Sequence, residues 1–373
     1  MNHNLEKSIL SKILIVGSGL TGSVTASLVK HEASADITIW EKEEYIGGRF
    51  HTFHSPLAAE CSVDLGAQYI SATLEFIRSH ARFYDELLDK DKLVPLGEKI
   101  QNFRRLSESK TNFTAPGGSE SLVQHFLEKS DATVCLKHEV VEINLKEEPK
   151  LWEVKASNGV VKNFDVVILT IPVPQVLKLG GNFLNISNEE VKMTMEQIKF
   201  SSRHAVGLMY NEPSKVIDEL PWSIKYFPDD EIICFAAVDN RKRGMNKDLP
   251  TILIHTTGKY SQNQSDKSED EIQQDVISHF KCLTAELPEP SYVKCIKWTY
   301  SQVIDPYIDN PGCIVLQEHP CLICGGDSFT ESNFNGCITS ALRIVEELLK
   351  HVTIAKPKSS TKKTSNAITI SEQ

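Results

Sequence analysis

Ile13-Leu14-Ile15-Val16-Gly17-Ser18-Gly19-Leu20-Thr21-Gly22 is the stretch on which the fold turns. Four consecutive large apolar residues with no polar alternation describe a short strand buried on both faces, as in the middle of a parallel sheet. Glycines at 17, 19 and 22 follow at once, and Val24, Leu28 and Val29 then recur on one helical face. A Gly-x-Gly-x-x-Gly run between a buried strand and an amphipathic helix is the context of a dinucleotide-binding turn. Gly17 permits the tight turn, Gly19 lets backbone approach a pyrophosphate, and Gly22 lets helix and strand pack closely. The helix start around Thr21 offers unpaired N–H groups and the positive end of the helix dipole to phosphate. Ile37-Thr38-Ile39-Trp40 reads as the second strand and ends at Glu41, nineteen residues beyond Gly22. A carboxylate there is placed to accept both ribose hydroxyls, and it repels a 2′-phosphate.

Outward from this turn the chain alternates between two textures. Residues from Phe76 to Leu88 have helical apolar spacing, Ser121 to Lys129 reads as another helix, and Val134 to Ala156 reads as a meander with an Asn158-Gly159 turn. From roughly 180 to 317 antiparallel strands are expected at 204–210, 222–227, 232–238, 252–257 and 292–303, with a polar surface loop at 260–271. The first texture then returns in the apolar strand Cys321 to Cys324, the turn Gly325-Gly326-Asp327 and a closing helix carrying Ile338, Ala341, Leu342, Val345 and Leu348. The predicted class is α/β with two domains. Residues 11–75, 113–178 and 318–352 form a discontinuous Rossmann-like nucleotide-binding domain, and 76–112 with 179–317 form an inserted, antiparallel β-rich substrate domain. Residues 356–373, rich in Ser, Thr and Lys, are expected to be a disordered tail.

Composition narrows the function. The 373 residues carry a formal net charge of −10, which argues against non-specific nucleic-acid binding, since that needs a basic face. No stretch approaches the roughly 20 apolar residues of a membrane span. Lys7 and Lys12 precede an apolar run of only four residues before Gly17, so no signal peptide is expected there. The nine cysteines mostly neighbour Ile, Leu or Val and read as reduced core thiols. Cys321-x-x-Cys324 has redox spacing without a second pair, and two core-strand thiols are its plainer reading. A cytoplasmic monomer is expected, with no metal; export without a signal peptide is the alternative.

A second glycine turn bears on which dinucleotide is bound. Gly47-Gly48-Arg49 follows the second strand, where a cation reaches the same pyrophosphate. Together with Gly17-x-Gly19-x-x-Gly22, Glu41 and the terminal Gly326-Asp327 it resembles flavoproteins of the amine-oxidase type. Further motifs sharpen the match: Asp64-Leu-Gly-Ala-Gln-Tyr-Ile70, His80-x-Arg-Phe-Tyr-Asp-Glu-Leu-Leu88, Leu169-Thr-x-Pro-Val-Pro174, Ser201-Ser-Arg203, Ile254-His-Thr-Thr257, Lys297-Trp298 with Ser301-Gln-Val303, and Cys324-Gly-Gly-Asp327 with Gly336-Cys-Ile-Thr-Ser-Ala341. Over residues 12–350 these resemble the renalase family.

That resemblance implies noncovalent FAD and a two-domain fold like that of p-hydroxybenzoate hydroxylase. It implies oxidation of the 2-dihydro and 6-dihydro isomers of NAD(P)H to β-NAD(P)+, with hydride passing to flavin N5 and O2 reduced to H2O2. The cofactor set is Gly17, Gly19, Thr21, Gly22, Glu41, Gly48, Arg49, Gln68, Tyr69, Gly326 and Asp327, with Lys42 and Val140 at the adenosine. Gly336, Cys337 and Ile338 are expected to put a helix N-terminus against the N1–C2 carbonyl edge of the flavin. Tyr69, His255 and Trp298 are the expected substrate contacts, Trp298 stacking on a nicotinamide ring and His255 bonding its carboxamide. No residue is assigned acid–base catalysis, because a dihydropyridine gives up hydride to regain aromaticity. Two other readings use the same fold. An amine oxidase for a catecholamine or polyamine needs an aromatic cage, for which the terminal motif offers Phe329 and Phe334 but no paired tyrosines. A flavin-binding extracellular signalling protein would bind without turnover.

Overall fold

The parallel sheet predicted from Ile13 to Val16 is the spine of the first of two units. In this computed structural model the described residues are 11–351, apart from 33–34, 59, 99, 103–109, 187, 247–248, 265 and 285–286. The expected tail at 356–373 lies outside them. Ser11–Val16 sits in the middle of a six-stranded sheet, between Ala35–Trp40 and Val166–Leu169. Thr133–Cys135 continues the sheet on one side, and Cys321–Gly325 then Cys313–Gln317 on the other. Every pairing is parallel except the last. Ile13 to Val16, Val166 to Leu169 and Cys321 to Cys324 are all buried, as continuous apolar runs in a parallel sheet require. Chain order reverses about Ser11–Val16, and ligands of open α/β sheets bind at the carboxyl ends of strands at such a switch point.

The helices Leu20–Glu32 and Phe334–His351 pack together in this unit. An antiparallel meander of Val140–Glu147, Lys150–Ala156 and Val161–Phe164 is tied to the sheet by Trp152, whose indole N–H reaches the Pro320 and Cys321 carbonyls. Cys321 and Cys324 are core-strand thiols, and burial pushes Cys321 up to about 12 and Cys324 up as well. Six of the nine cysteines are buried.

The second unit is built on another six-stranded sheet, in the order Tyr292–Trp298, Arg203–Met209, Thr251–Thr256, Ile233–Val238, Ile224–Tyr226, Ile100–Gln101. It is antiparallel except for the two-residue edge. Period-2 alternation sorts Arg203–Met209 between two cores. Val206 and Leu208 face Ile272, Val276 and Phe280 of the helix Glu269–Leu283, while Ala205 and Met209 face Cys61, Val63 and Leu65. Gly207 lies on the second face, where a Cβ would stand 2.7 Å from Val63 Cγ1.

The units comprise residues 1–48, 123–199 and 305–373, and residues 49–122 and 200–304. The crossings fall at 48, 122, 199 and 304, whereas the sequence reading put them at 75, 112, 178 and 317. The first shift has a plain cause: Cys61, Val63 and Leu65 bury themselves on the antiparallel sheet's face.

Three local expectations change. The segment 260–271 is not a polar surface loop: Gly258–Asn263 is a helix capped by Thr257, with Tyr260 and Ser261 buried. The next helix starts at Glu269 on a capping box between Ser268 and Glu271. The helical run from Phe76 breaks at His80 into Leu74–Ser79 and Ala81–Asp89. The strand expected over 292–303 is two, Tyr292–Trp298 and Val303–Asp305.

Candidate functional site

In the first unit the glycine turn is fixed by contacts that tolerate no side chain. Gly17 has φ +101°, and its N–H donates to the Trp40 carbonyl at 2.8 Å. A Cβ on Gly22 would fall 2.2 Å from the Gly17 oxygen. Gly19 differs, since the nearest atom to its Cβ position is the Gly47 oxygen at 3.9 Å. Gly19 and Gly47 form a parallel bridge, and Gly48 has φ +54° with a Cβ position 3.5 Å from the Gly19 Cα. The two glycine turns therefore lie side by side, with room kept above Gly19. Thr21 is buried in the first helical turn.

Glu41 anchors this turn. Its Oε2 accepts the Ser18 N–H and the Ser18 hydroxyl, both at 2.8 Å, and Oε1 accepts the Glu43 N–H at 3.0 Å. A carboxylate offers about four acceptor positions, so one remains until the Ser18 hydroxyl turns away. The expectation of two ribose hydroxyls on Glu41 thus requires that turn. His138 N–H donates to the Glu41 carbonyl at 2.8 Å and Lys137 N–H to that of Glu43 at 3.0 Å, which brings Val140 to the same strand end. Lys42 is exposed and ion-paired with Glu43 at 2.8 Å.

At the closing motif, Gly326 has φ +118° and its N–H donates to Ser340 Oγ at 2.7 Å. Asp327 is buried, and its Oδ2 accepts the Ser332 hydroxyl at 2.5 Å. The closing helix begins at Phe334, two residues earlier than expected. Gly336 N–H donates to Asn333 Oδ1 at 2.8 Å and Cys337 N–H to the Asn333 carbonyl at 3.1 Å. Those two N–H groups have partners within the chain, and what this helix offers a ligand is its dipole. Ile338 is a core side chain.

In the second unit the remaining expected residues gather around Leu65 to Tyr69. Arg49 leads in, with Nη1 donating to the Ser301 carbonyl at 3.1 Å and the guanidinium 5.9 Å from the Phe200 ring. Its carbonyl accepts the Ala67 N–H at 2.8 Å, and a Cβ on Gly66 would meet that oxygen at 1.9 Å. Gln68 turns inward: Nε2 donates to the Asp64 and Gly66 carbonyls, and Oε1 accepts from Lys242 Nζ at 3.0 Å. Lys242 is wholly buried between Asp64 Oδ2 at 3.2 Å and Asp239 Oδ1 at 2.6 Å, and Arg243 Nε reaches Asp239 Oδ2 at 2.9 Å. Two carboxylates thus meet two cations. Burial alone raises the Asp64 pKa, but Lys242 and Arg243 outweigh it and hold the carboxyl below its ordinary value.

Tyr69, His255 and Trp298 are brought together. Trp298 Nε1–H donates to the Leu65 carbonyl at 2.9 Å, and His255 Nε2 lies 3.1 Å from the same oxygen. Burial, joined by the charges of Arg203 and Lys242, lowers the His255 pKa to about 4 despite that bond. His255 is therefore neutral at pH 7, with Nε2–H committed to Leu65 and Nδ1 left as an acceptor. Tyr69 and Tyr226 meet hydroxyl to hydroxyl at 2.6 Å, and burial raises both phenols above their ordinary value. The sequence reading found no paired tyrosines. This pair is separated by 157 residues, and only the tertiary fold brings the two hydroxyls together. Arg203, Cys234 and Lys242 were missed as well. Arg203 was within a quoted motif, Ser201-Ser-Arg203, but nothing in its spacing points to a partner.

The sequence is 40% identical to mouse renalase over 347 residues, which is 92% of this chain and 100% of that protein. The chain belongs to the renalase family. Residues 74–349 match the model for flavin-containing amine oxidoreductases, and residues 15–87 match that for an NAD(P)-binding Rossmann-like domain. The Arabidopsis thaliana protein named probable polyamine oxidase 4 is 34% identical over 65 residues, 17% of this chain and 12% of that one. A crystal structure of an Exiguobacterium sp. 255-15 protein assigned to the protoporphyrinogen oxidases superposes with a TM-score of 0.69, over 91% of this chain and 99% of that one. At 14% identity it shares the fold alone. As a renalase-family member the chain is a two-domain α/β flavoprotein and an FAD-dependent oxidoreductase. No helix among the described residues is long and apolar enough to cross a membrane. Its cradle fits the cofactor: the space kept above Gly19 would admit a phosphate to the helix start, and Glu41 puts a carboxylate at the end of the second strand, where a dinucleotide-binding turn would present it to ribose.

Proposed function

We propose that this renalase-family chain oxidises the 2-dihydro and 6-dihydro isomers of NAD(P)H to β-NAD(P)+, with O2 reduced to H2O2. FAD supplies the hydride acceptor and passes the electrons on to O2. The turn Gly17 to Gly22, Glu41, Gly48 and the Gly326-Asp327 pair would hold it. Tyr69, His255 and Trp298 are the substrate contacts in this reading.

The observation that carries the proposal is the double use of the Leu65 carbonyl by Trp298 and His255. One backbone oxygen fixes both the indole plane and the imidazole, so a ring stacked on Trp298 and a carboxamide N–H donated to His255 Nδ1 would be held in one orientation. Orientation is what a hydride donor needs, since a misplacement of about 1 Å can cost about 100-fold in rate. The histidine and the two tyrosines of this face are neutral at pH 7: His255 titrates near 4, and the Tyr69 and Tyr226 phenols are raised. None is poised to take a proton at pH 7, which suits hydride loss from a dihydropyridine.

The amine-oxidase alternative draws less support. Phe329 and Phe334 are buried in the core, and the Tyr69 and Tyr226 hydroxyls are spent on each other. The test is product analysis in air. Each isomer should yield β-NAD+ or β-NADP+ and an equal amount of H2O2, and amine consumption with no nucleotide product would overturn the proposal.

A further inference from the structure

Arg203 is a cation with no carboxylate partner among the described residues. It opens the strand Arg203–Met209, half-buried, on the sheet face that carries Trp298, its cross-strand partner in register. His255 lies on the next strand over, opposite Ala205, two residues along the same face. Side chains so placed stand within about 4.5–8 Å of one another. The hydrogen-bond partners of the guanidinium are both neutral: Nη1 donates to Cys234 Sγ at 3.0 Å, and Nη2 reaches Gln302 Oε1 at 3.4 Å. Its Nε is buried with no partner at all. Among the described residues no carboxylate ion-pairs with it, whereas in the same unit Lys242 pairs with Asp64 and Asp239 and Arg243 with Asp239.

A partly desolvated guanidinium against a thiol and an amide leaves most of its five donors unspent, and a planar donor fork suits the oxygens of a phosphate. We propose that Arg203 is a substrate-recognition residue that binds the phosphate next to the nicotinamide ribose of the dinucleotide. The inference rests on the reading of Trp298 and His255 as the nicotinamide contacts, and it names the anion that the neighbouring cation takes. It also gives the face a charge preference. A nucleotide phosphate is attracted, and the ammonium of a polyamine or catecholamine is repelled.

The experiment is equilibrium titration of the FAD-loaded protein by calorimetry with three probes: nicotinamide riboside, nicotinamide mononucleotide and inorganic pyrophosphate. The first two share the same ring and differ by one phosphate. Wild type should prefer the mononucleotide, and added salt should erase the preference. Arg203→Gln should weaken mononucleotide and pyrophosphate binding by about 10- to 100-fold, the scale of one charge-assisted contact, and leave the riboside within about twofold. Arg203→Lys should recover part of the loss. Equal weakening of riboside and mononucleotide, or no weakening of either, overturns the proposal. So does a wild-type protein with no salt-sensitive preference, a result that needs no variant. Pyrophosphate binding that depends on Arg203, with neither nicotinamide probe bound, would keep the anion site and overturn the nicotinamide reading instead.

Discussion

Ser18 gives both its backbone N–H and its hydroxyl to one carboxylate oxygen of Glu41, each at 2.8 Å. The first glycine turn and the end of the second strand are thereby joined by a single side chain. In the proposed reading, ribose recognition would depend on the group that also fixes the turn geometry.

Replacing Glu41 by Ala should then act twice. FAD affinity should fall by about 1–3 kcal/mol through loss of charge-assisted hydrogen bonds to ribose. The FAD-free protein should also melt lower, because a buried Ser18 N–H is left unpaired. Glu41→Gln should damage FAD binding through the lost charge while keeping one acceptor for Ser18. Released-flavin fluorescence and melting of both forms check this, and an unchanged FAD-free melting temperature in Glu41→Ala would contradict the shared role.

Gly22→Ala should destabilise the protein by about 1–3 kcal/mol, the usual range for overpacking, because its Cβ would stand 2.2 Å from the Gly17 oxygen. Gly97→Ala is the control. Nothing lies within 4 Å of its Cβ position, and a change within about 0.5 kcal/mol is expected. Chemical denaturation of the two variants separates packing from a general intolerance of glycine replacement.

Acid stability follows from two histidines. His204 and His255 both titrate near 4 in the folded chain, lowered first by burial, against an ordinary value of 6.5. The unfolded chain therefore binds protons that the folded one refuses between these values. The stability these neutral side chains contribute is complete above about pH 6.5 and is lost as pH falls toward 4. Asp64, held below its ordinary value by Lys242 and Arg243, adds a loss at still lower pH. Denaturation midpoints from pH 7 to 4 should decline, and more gently in His204→Gln. A midpoint that is flat across that range would contradict the burial account.

Much of this was legible in the sequence, and the reasons differ by region. The strand Ile13 to Val16 declares itself because a parallel strand buried on both faces leaves no polar residue to blur the pattern. The glycine at 17 is there because its φ is +101°, and the one at 22 because the Gly17 oxygen comes too close for a Cβ, constraints that composition records directly. The helix at Glu269 was also announced, by Ser268-x-x-Glu271, but its polar first turn reads as loop when the capping box is overlooked. What could not be read was pairing across the antiparallel sheet. Tyr69 with Tyr226, Lys242 with Asp64 and Gln68, and Arg203 with Cys234 are separated by dozens to more than a hundred residues, and only tertiary packing brings them together.

Trp298→Ala should slow flavin reduction about 10- to 100-fold and blur the preference among isomers, since the ring loses the surface that fixes its position. FAD should stay bound. Trp298→Phe keeps a ring but gives up the bond to the Leu65 carbonyl, and its rate should fall between the two. Stopped-flow reduction with each isomer checks the order, and loss of FAD from either variant would contradict a substrate role for Trp298.

The central claim is tested most directly by anaerobic mixing of the FAD-loaded protein with single reductants while flavin absorbance is followed. The 2-dihydro or the 6-dihydro isomer of NAD(P)H should bleach the flavin rapidly, and β-NADH, adrenaline and spermine should do so poorly or not at all. Rapid bleaching by β-NADH or by either amine, with no response to the 2-dihydro and 6-dihydro isomers, would contradict it.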